Sequence, residues 1–342
     1  MIKLFFNGLK LGLIINIFGF VLGLTVYTLV IEFWLSKPVE SFKMPLKLGT
    51  VVDSIRLFDK LAPNRHIRQS WANIENNFSY FVIEYQLRAD FTRHDSPRLM
   101  RWCEEYDCVA HRIKFLDSRI KQFSLFTLDD WFTNQYMIFN NPEYEVFKLK
   151  VYLDSLPSGS TVIISEPFSS FDRPQVFDKF SEWILVLRSQ HPQLKFEIGL
   201  QIHLQWADAF WFKNYWILEK LSQFSKTHSY PWGVSEFSSY DQIWKRRIRG
   251  RSAADRLFYK IERLIPRPLR RAVVLHGSYI IHRESVKYGA VRFTEWGNIQ
   301  QTAWFVKQID ADYDSNYELF DSSGVPTSLW WAGMRGLKDG QN

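Results

Sequence analysis

Val162-Ile163-Ile164-Ser165-Glu166-Pro167-Phe168 and Trp232-Gly233-Val234-Ser235-Glu236-Phe237 decide the reading of the fold. Each is a short apolar run that reads as a buried strand, and each delivers a glutamate just as the run ends. Similar runs fall at 46–52, 80–84, 109–115, 195–204 and 291–296, with helix-like amphipathic segments such as 97–106, 175–189 and 215–225 between them. Short strands alternating with longer helices predict an α/β fold around a parallel sheet. The strand ends carry Glu84, Glu166, His203, Glu236 and Trp296, and the carboxyl ends of parallel strands are where an α/β barrel places its chemistry. Seven runs are one short of a (β/α)8 barrel. The eighth is expected between Glu166 and Glu236.

Further out, the chain opens on a different kind of sequence. Residues 11–31 are 21 positions without a charge. As a helix they rise ~31 Å, enough for a hydrocarbon core of ~30 Å. Lys3 and Lys10 precede this stretch, and Glu32, Phe33 and Trp34 follow it. The apolar region is longer than that of a cleaved signal peptide and lacks a small-residue cleavage site. The expectation is a single uncleaved transmembrane anchor at 11–31, after a short cytoplasmic head at 1–10. A juxtamembrane linker at 32–44 then leads to an extracytoplasmic body at 45–338. Lys37, Lys43 and Lys47 rival the two lysines before the span, so the orientation rests on the short basic head rather than on a clear charge asymmetry.

The 342 residues carry a net charge of +7, and the charge is local. Residues 245–271 hold eleven lysines and arginines against two acids. Such a patch suits an anionic polysaccharide or lipid headgroups, or is simply a solvated basic helix. Nucleic acid is not expected as a partner of an anchored barrel. The two cysteines, Cys103 and Cys108, exclude a disulfide scaffold. No Gly-rich phosphate loop, His-Glu-x-x-His helix or Gly-x-Ser-x-Gly elbow is present. No metal or cofactor is expected.

A strand-end glutamate taken singly is more often an ion-pair partner than a catalyst. Here a series of motifs runs in order from about 46 to 337. It comprises Leu48-Gly49-Thr50-Val51-Val52-Asp53, Glu84-Tyr85-Gln86-Leu87-Arg88, Ala110-His111-Arg112-Ile113-Lys114-Phe115 and Ser165-Glu166-Pro167. Ile198-Gly199-Leu200-Gln201-Ile202-His203-Leu204, Val234-Ser235-Glu236-Phe237, Trp296-Gly297 with Trp304, and Leu319-Phe320-Asp321 before Pro326 and Trp330-Trp331 complete it. This order resembles glycoside hydrolase family 10, the xylanase-type (β/α)8 barrels. The resemblance implies Glu166 as general acid/base, Glu236 as nucleophile and His203 as the group that orients Glu236. It implies Glu84, Arg88, His111, Ser165, Gln201, Trp296 and Trp304 as sugar-binding residues.

Several positions depart from the family pattern. Ser165 stands for an asparagine, Arg88 for a lysine, Phe115 for a tryptophan, Gln300 for an aspartate and Ala303 for a serine. Both glutamates are kept. The expected activity is therefore retaining hydrolysis of a β-linked polysaccharide, with carboxyls roughly 5–5.5 Å apart and a substrate other than xylan itself, such as a cell-envelope or exported glycan. The alternative is a catalytically inactive carbohydrate-binding barrel in a membrane-bound glycan assembly.

Overall fold

A computed structural model describes residues 2–52, 76–83, 125–129, 150, 153–154, 156, 158–167, 174–205, 215–240, 264–295, 319–321 and 323–342. Helix α1 (Ile2–Leu35) is followed by β1 (Lys47–Val52), β2 (Tyr80–Ile83), β3 (Leu125–Asp129) and β4 (Thr161–Pro167). Then come α2 (Pro174–Gln190), β5 (Lys195–Gln205), α3 (Tyr215–His228), β6 (Trp232–Tyr240), α4 (Arg267–Lys287), β7 (Arg292–Glu295) and α5 (Ser328–Asp339).

The seven described strands form one parallel sheet in the order β2-β1-β7-β6-β5-β4-β3. The first described strand pairs with the last described one, Lys47 opposite Arg292 and Thr50 opposite Glu295. That pairing brings the end of the sheet back to its beginning, as a barrel requires. The expected strand at 109–115 lies outside the described residues; in the chain it falls between β2 and β3, the two strands at the ends of this order.

The extra strand is not where the sequence reading put it. β4 pairs directly with β5 from Thr161 to Pro167, and β5 pairs directly with β6 from Ile198 to Gln205. No strand can intervene in the sheet between Glu166 and Glu236. The strand that went unforeseen is β3, ahead of Glu166, paired with β4 from Leu125 to Asp129.

Period-2 alternation sorts each strand into two faces. On β4 and β5, Val162, Ile164, Phe196, Ile198, Leu200, Ile202 and Leu204 are buried in the main hydrophobic core. They share it with Phe177, Phe180, Ile184 and Leu187 of α2 and Ile217, Leu218, Leu221 and Phe224 of α3. These helical positions recur every three to four residues, so each helix turns one stripe to the sheet. The opposite face, towards the barrel lumen, carries Ile163, Ser165, Glu197, Gly199, Gln201 and His203. A Cβ built on Gly199 would meet Ile163 Cγ2 and Ser235 Cβ, each at 2.6 Å. The lumen is filled at that level by neighbouring side chains and tolerates only hydrogen at position 199.

Among the described residues one helix is long and apolar enough to cross a membrane: 20 residues of α1, Asn16–Leu35. It does not stop at Ile31 but runs on to Leu35.

Candidate functional site

Strand β6 opens with Trp232 and Val234 in the hydrophobic core. Strict alternation would turn residue 236 the same way, into the helix layer. A bulge prevents this. Val234 is opposite Leu200, but Gln201 is already opposite Glu236, so Ser235 is the extra residue. An inserted residue resets the phase of a strand and re-aims its side chains. Glu236 consequently joins the lumen face, and Phe237 returns to the helix face, where its ring meets His282 of α4 at 5.1 Å.

The lumen residues stack in levels. At the upper level His203 Nδ1 lies 2.7 Å from Ser238 Oγ. Its Nε2 lies 3.5 Å from Glu236 Oε2, with side chains 38% and 13% exposed. With the Ser238 hydroxyl donating to Nδ1, the imidazole carries its proton on Nε2 and turns N–H towards the Glu236 carboxylate. At 3.5 Å the two are within ion-pair reach but longer than a formed hydrogen bond. His203 and Ser238 are register partners. Ser238 went unnamed in the sequence reading, although its place two residues after Glu236 on a strand is the signal that finds it.

One level down, the Gln201 amide donates to Ser165 Oγ at 3.1 Å and to the Ser165 carbonyl at 3.3 Å. The hydroxyls of Ser165 and Ser235 are 2.8 Å apart. All three residues are buried. Ser165 was expected to meet a sugar hydroxyl; the structure has it tied into this inner network with Gln201.

At the base of the lumen, Arg292 Nε lies 2.7 Å from both carboxylate oxygens of Glu197. Burial pushes the Glu197 carboxyl above its ordinary range, while the charges of Arg292 and Lys47 pull it down. The Arg292 guanidinium lies over the Tyr80 ring at 5.3 Å, and Tyr80 Oη is 2.6 Å from Thr294 Oγ1. Burial raises the Tyr80 phenol.

Four described strands carry a carboxylate at or beyond their midpoint: Asp129, Glu166, Glu236 and Glu295. They divide by face. Glu166 lies opposite Leu200 in an unbroken register and alternates with Ser165. It therefore shares the helix-facing side with Val162 and Ile164, and it is fully buried. Unlike β6, β4 carries no bulge in its pairing with β5. Glu295 also lies on the helix side. Its Oε1 is 2.6 Å from His282 Nε2, and His282 Nδ1 lies 2.7 Å from the Ser278 carbonyl. Asp129, the last residue of β3, is the register partner of Ser165, three strands from Glu236 in the sheet order.

The sequence-predicted Glu84, Arg88, His111, Trp296 and Trp304 lie outside the described residues, as does most of the basic segment 245–271. Arg271, at the end of that segment, is in use within the fold: it pairs with Glu32 at 3.1 Å and donates to Ser328 Oγ at 2.8 Å. Among the described residues no three His, Cys, Asp or Glu side chains stand together as a metal set.

The chain matches no protein-family model and no curated protein sequence. Solved structures do match its fold. A GH10 endoxylanase retrieved from a sugarcane soil metagenome superposes with a TM-score of 0.54 at 14% identity, covering 86% of this chain and 97% of that one. Native xylanase 10B from Thermotoga maritima gives 0.53 at 12% identity, covering 86% and 95%. Xylanase 10B from Thermotoga petrophila RKU-1, in complex with xylobiose, gives 0.51 at 12% identity, covering 88% and 99%. The architecture is thus the parallel-sheet α/β fold of the GH10 TIM barrels.

Proposed function

We propose that the chain is a membrane-anchored retaining glycoside hydrolase, acting on a β-linked polysaccharide of the cell envelope or of an export route. The observation that carries this reading is the β6 bulge, which turns Glu236 out of the helix layer and into the open lumen beside His203.

Retaining hydrolysis requires two carboxyls. Glu236 attacks the anomeric carbon and forms a glycosyl ester, while the second carboxyl gives its proton to the leaving oxygen. That group then takes a proton from water, and the water displaces Glu236. His203 positions the nucleophile through Nε2. The motif resemblance assigns the second role to Glu166. Asp129, the register partner of Ser165 on the neighbouring strand, is the carboxylate to be tested against it. Trp296 and Trp304 are proposed as stacking platforms for sugar faces, and Glu84, Arg88 and His111 as hydroxyl-binding groups. Segment 245–263 is proposed to meet an anionic stretch of glycan.

One observation favours the binding-barrel alternative: Glu166, the carboxylate named by the motif, is on the helix side. The two readings part on covalent trapping. The full chain in detergent, incubated with 2-deoxy-2-fluoro β-xylosyl and β-glucosyl fluorides, is expected to gain the mass of one sugar at Glu236. Binding of oligosaccharide with no adduct from any glycone would overturn catalysis and leave the barrel a binding module. The second carboxyl is read separately, with aryl glycosides carrying a good leaving group. Glu166→Gln is expected to accumulate the intermediate and to recover turnover with azide, whereas Asp129→Asn is not. The reverse pattern would move the role to Asp129.

A further inference from the structure

The apolar helix is not separate from the body it precedes. Between Asn16 and Val26, α1 is exposed on several sides, with Ile17, Phe18, Phe20, Val21, Leu22 and Val26 all accessible. From Tyr27 one stripe turns inwards. Tyr27 Oη is 2.9 Å from His276 Nδ1 on α4. Ile31 is 6% exposed and Leu35 0%, and both belong to the barrel's main core. Glu32 pairs with Arg271 at 3.1 Å. The Trp34 ring meets Tyr279 edge-on at 4.9 Å, under the Arg335 guanidinium of α5 at 5.8 Å. Positions 27, 31, 34 and 35 have the spacing of one helical face. The chain beyond stays attached, since Arg335 donates to the Lys37 carbonyl and Gln341 to the Lys43 carbonyl, both at 3.2 Å. Within the expected linker at 32–44, Leu35 is buried and Val39 and Phe42 pack partly against the core.

From these contacts we infer that α1 is a permanent structural element of the barrel and that its undocked surface is seated in a lipid bilayer. A leader that is cut off leaves a mature domain complete without it. Here removal of α1 would take Ile31 and Leu35 out of the core and strip Arg271 of Glu32. This rests on the membrane reading proposed above, and it adds a position for the barrel. The charge-free stretch before the dock, 11–26, rises only ~24 Å as a helix, short of a ~30 Å hydrocarbon core. The exposed, apolar Leu29, Val30 and Phe33 on the undocked side complete the span, while Tyr27 already touches α4. The α4–α5 flank therefore rests at headgroup level, and the barrel is held against the membrane instead of hanging from a tether.

The test uses the full chain expressed in membranes. Intact mass of the detergent-purified protein is expected to include α1. The unfolding midpoint of Leu35→Ala is expected to fall by roughly 4–10 °C, and that of Tyr27→Phe by less. Phe20→Ala, on the exposed part of the same helix, is expected to leave it unchanged. A mature chain beginning after α1, or a Leu35→Ala midpoint equal to that of Phe20→Ala, would overturn the inference. If the intact chain fractionates as soluble while Leu35→Ala still lowers the midpoint, the docking stands and the bilayer is overturned as the occupant of the outer surface.

Discussion

Glu197 and Glu236 are glutamates on the lumen faces of adjacent strands, at opposite ends of the same space. Glu197 is sealed, with its two oxygens shared by Arg292 and its side chain 4% exposed. Glu236 is reached only because β6 carries an inserted residue, and it faces a histidine that is more than a third exposed. A buried ion pair must offset the desolvation of both charges, so removing one partner strands the other. A carboxylate beside an accessible imidazole sits nearer to solvent, where a substrate can reach it. Residue type and strand face are the same at both ends. What differs is depth: the Glu197 side chain is 4% exposed and that of Glu236 13%.

That contrast is broken most directly by exchanging the roles of the two glutamates in the same experiment. Glu236→Gln is expected to lower turnover of any hydrolysed glycoside by roughly 10³–10⁶-fold, as loss of a nucleophile does, with the unfolding midpoint nearly unchanged. Glu197→Ala is expected to do the opposite. It leaves Arg292 buried without its carboxylate, at a cost of about 3–5 kcal/mol of stability, while the folded fraction still forms the adduct at Glu236. Paired measurement of chemical denaturation and adduct formation checks both. A stability loss at Glu236 equal to that at Glu197 would erase the distinction between the two ends. Between them lies Gly199→Ala, whose new methyl would press on Ile163 and Ser235 at 2.6 Å. Overpacking at that level is expected to cost about 1–3 kcal/mol. It should also weaken trapping at Glu236, because Ser235 is the bulge residue that sets the direction of β6. Denaturation and adduct yield read the two effects separately.

Much of this architecture is legible in the residues, and the illegible parts share a cause. Runs such as Thr161–Pro167 and Lys195–Gln205 are apolar along one or both faces, so composition alone locates them. The faces of α2 and α3 follow from the spacing of Phe177, Phe180, Ile184 and Ile217, Leu221, Phe224. Leu125–Asp129 is five residues long and runs straight into Asp130 and Trp131, so no period is long enough to reveal it. The direction of a strand-end side chain depends on register, a property of two strands rather than one. Ser165-Glu166 and Ser235-Glu236 look equivalent in the chain. Only pairing with β5 shows that the second carries a bulge and the first does not. The end of α1 is hidden for another reason: in a helix apolar all round, a docked stripe and a lipid-facing one have the same composition.

The smallest expected effect concerns protonation at the base of the lumen. Burial raises the Glu197 carboxyl despite the opposing charges of Arg292 and Lys47, with Tyr80 also facing it. The folded chain therefore holds this proton at pH values where the unfolded chain has released it. Stability from that proton is fully present below the unfolded carboxylate range, near pH ~4.3, and is lost as pH rises through the higher folded value. The unfolding midpoint of the wild type, followed upward from pH 4, is expected to carry this decline. In Glu197→Gln, which cannot titrate there, the decline should vanish on top of a lower baseline. Glu236→Gln should keep it, since the upper carboxylate takes no part in the lower pair. A profile that flattens in Glu236→Gln instead would mean the two levels titrate as one unit, and the separation between a structural floor and an open site would fail.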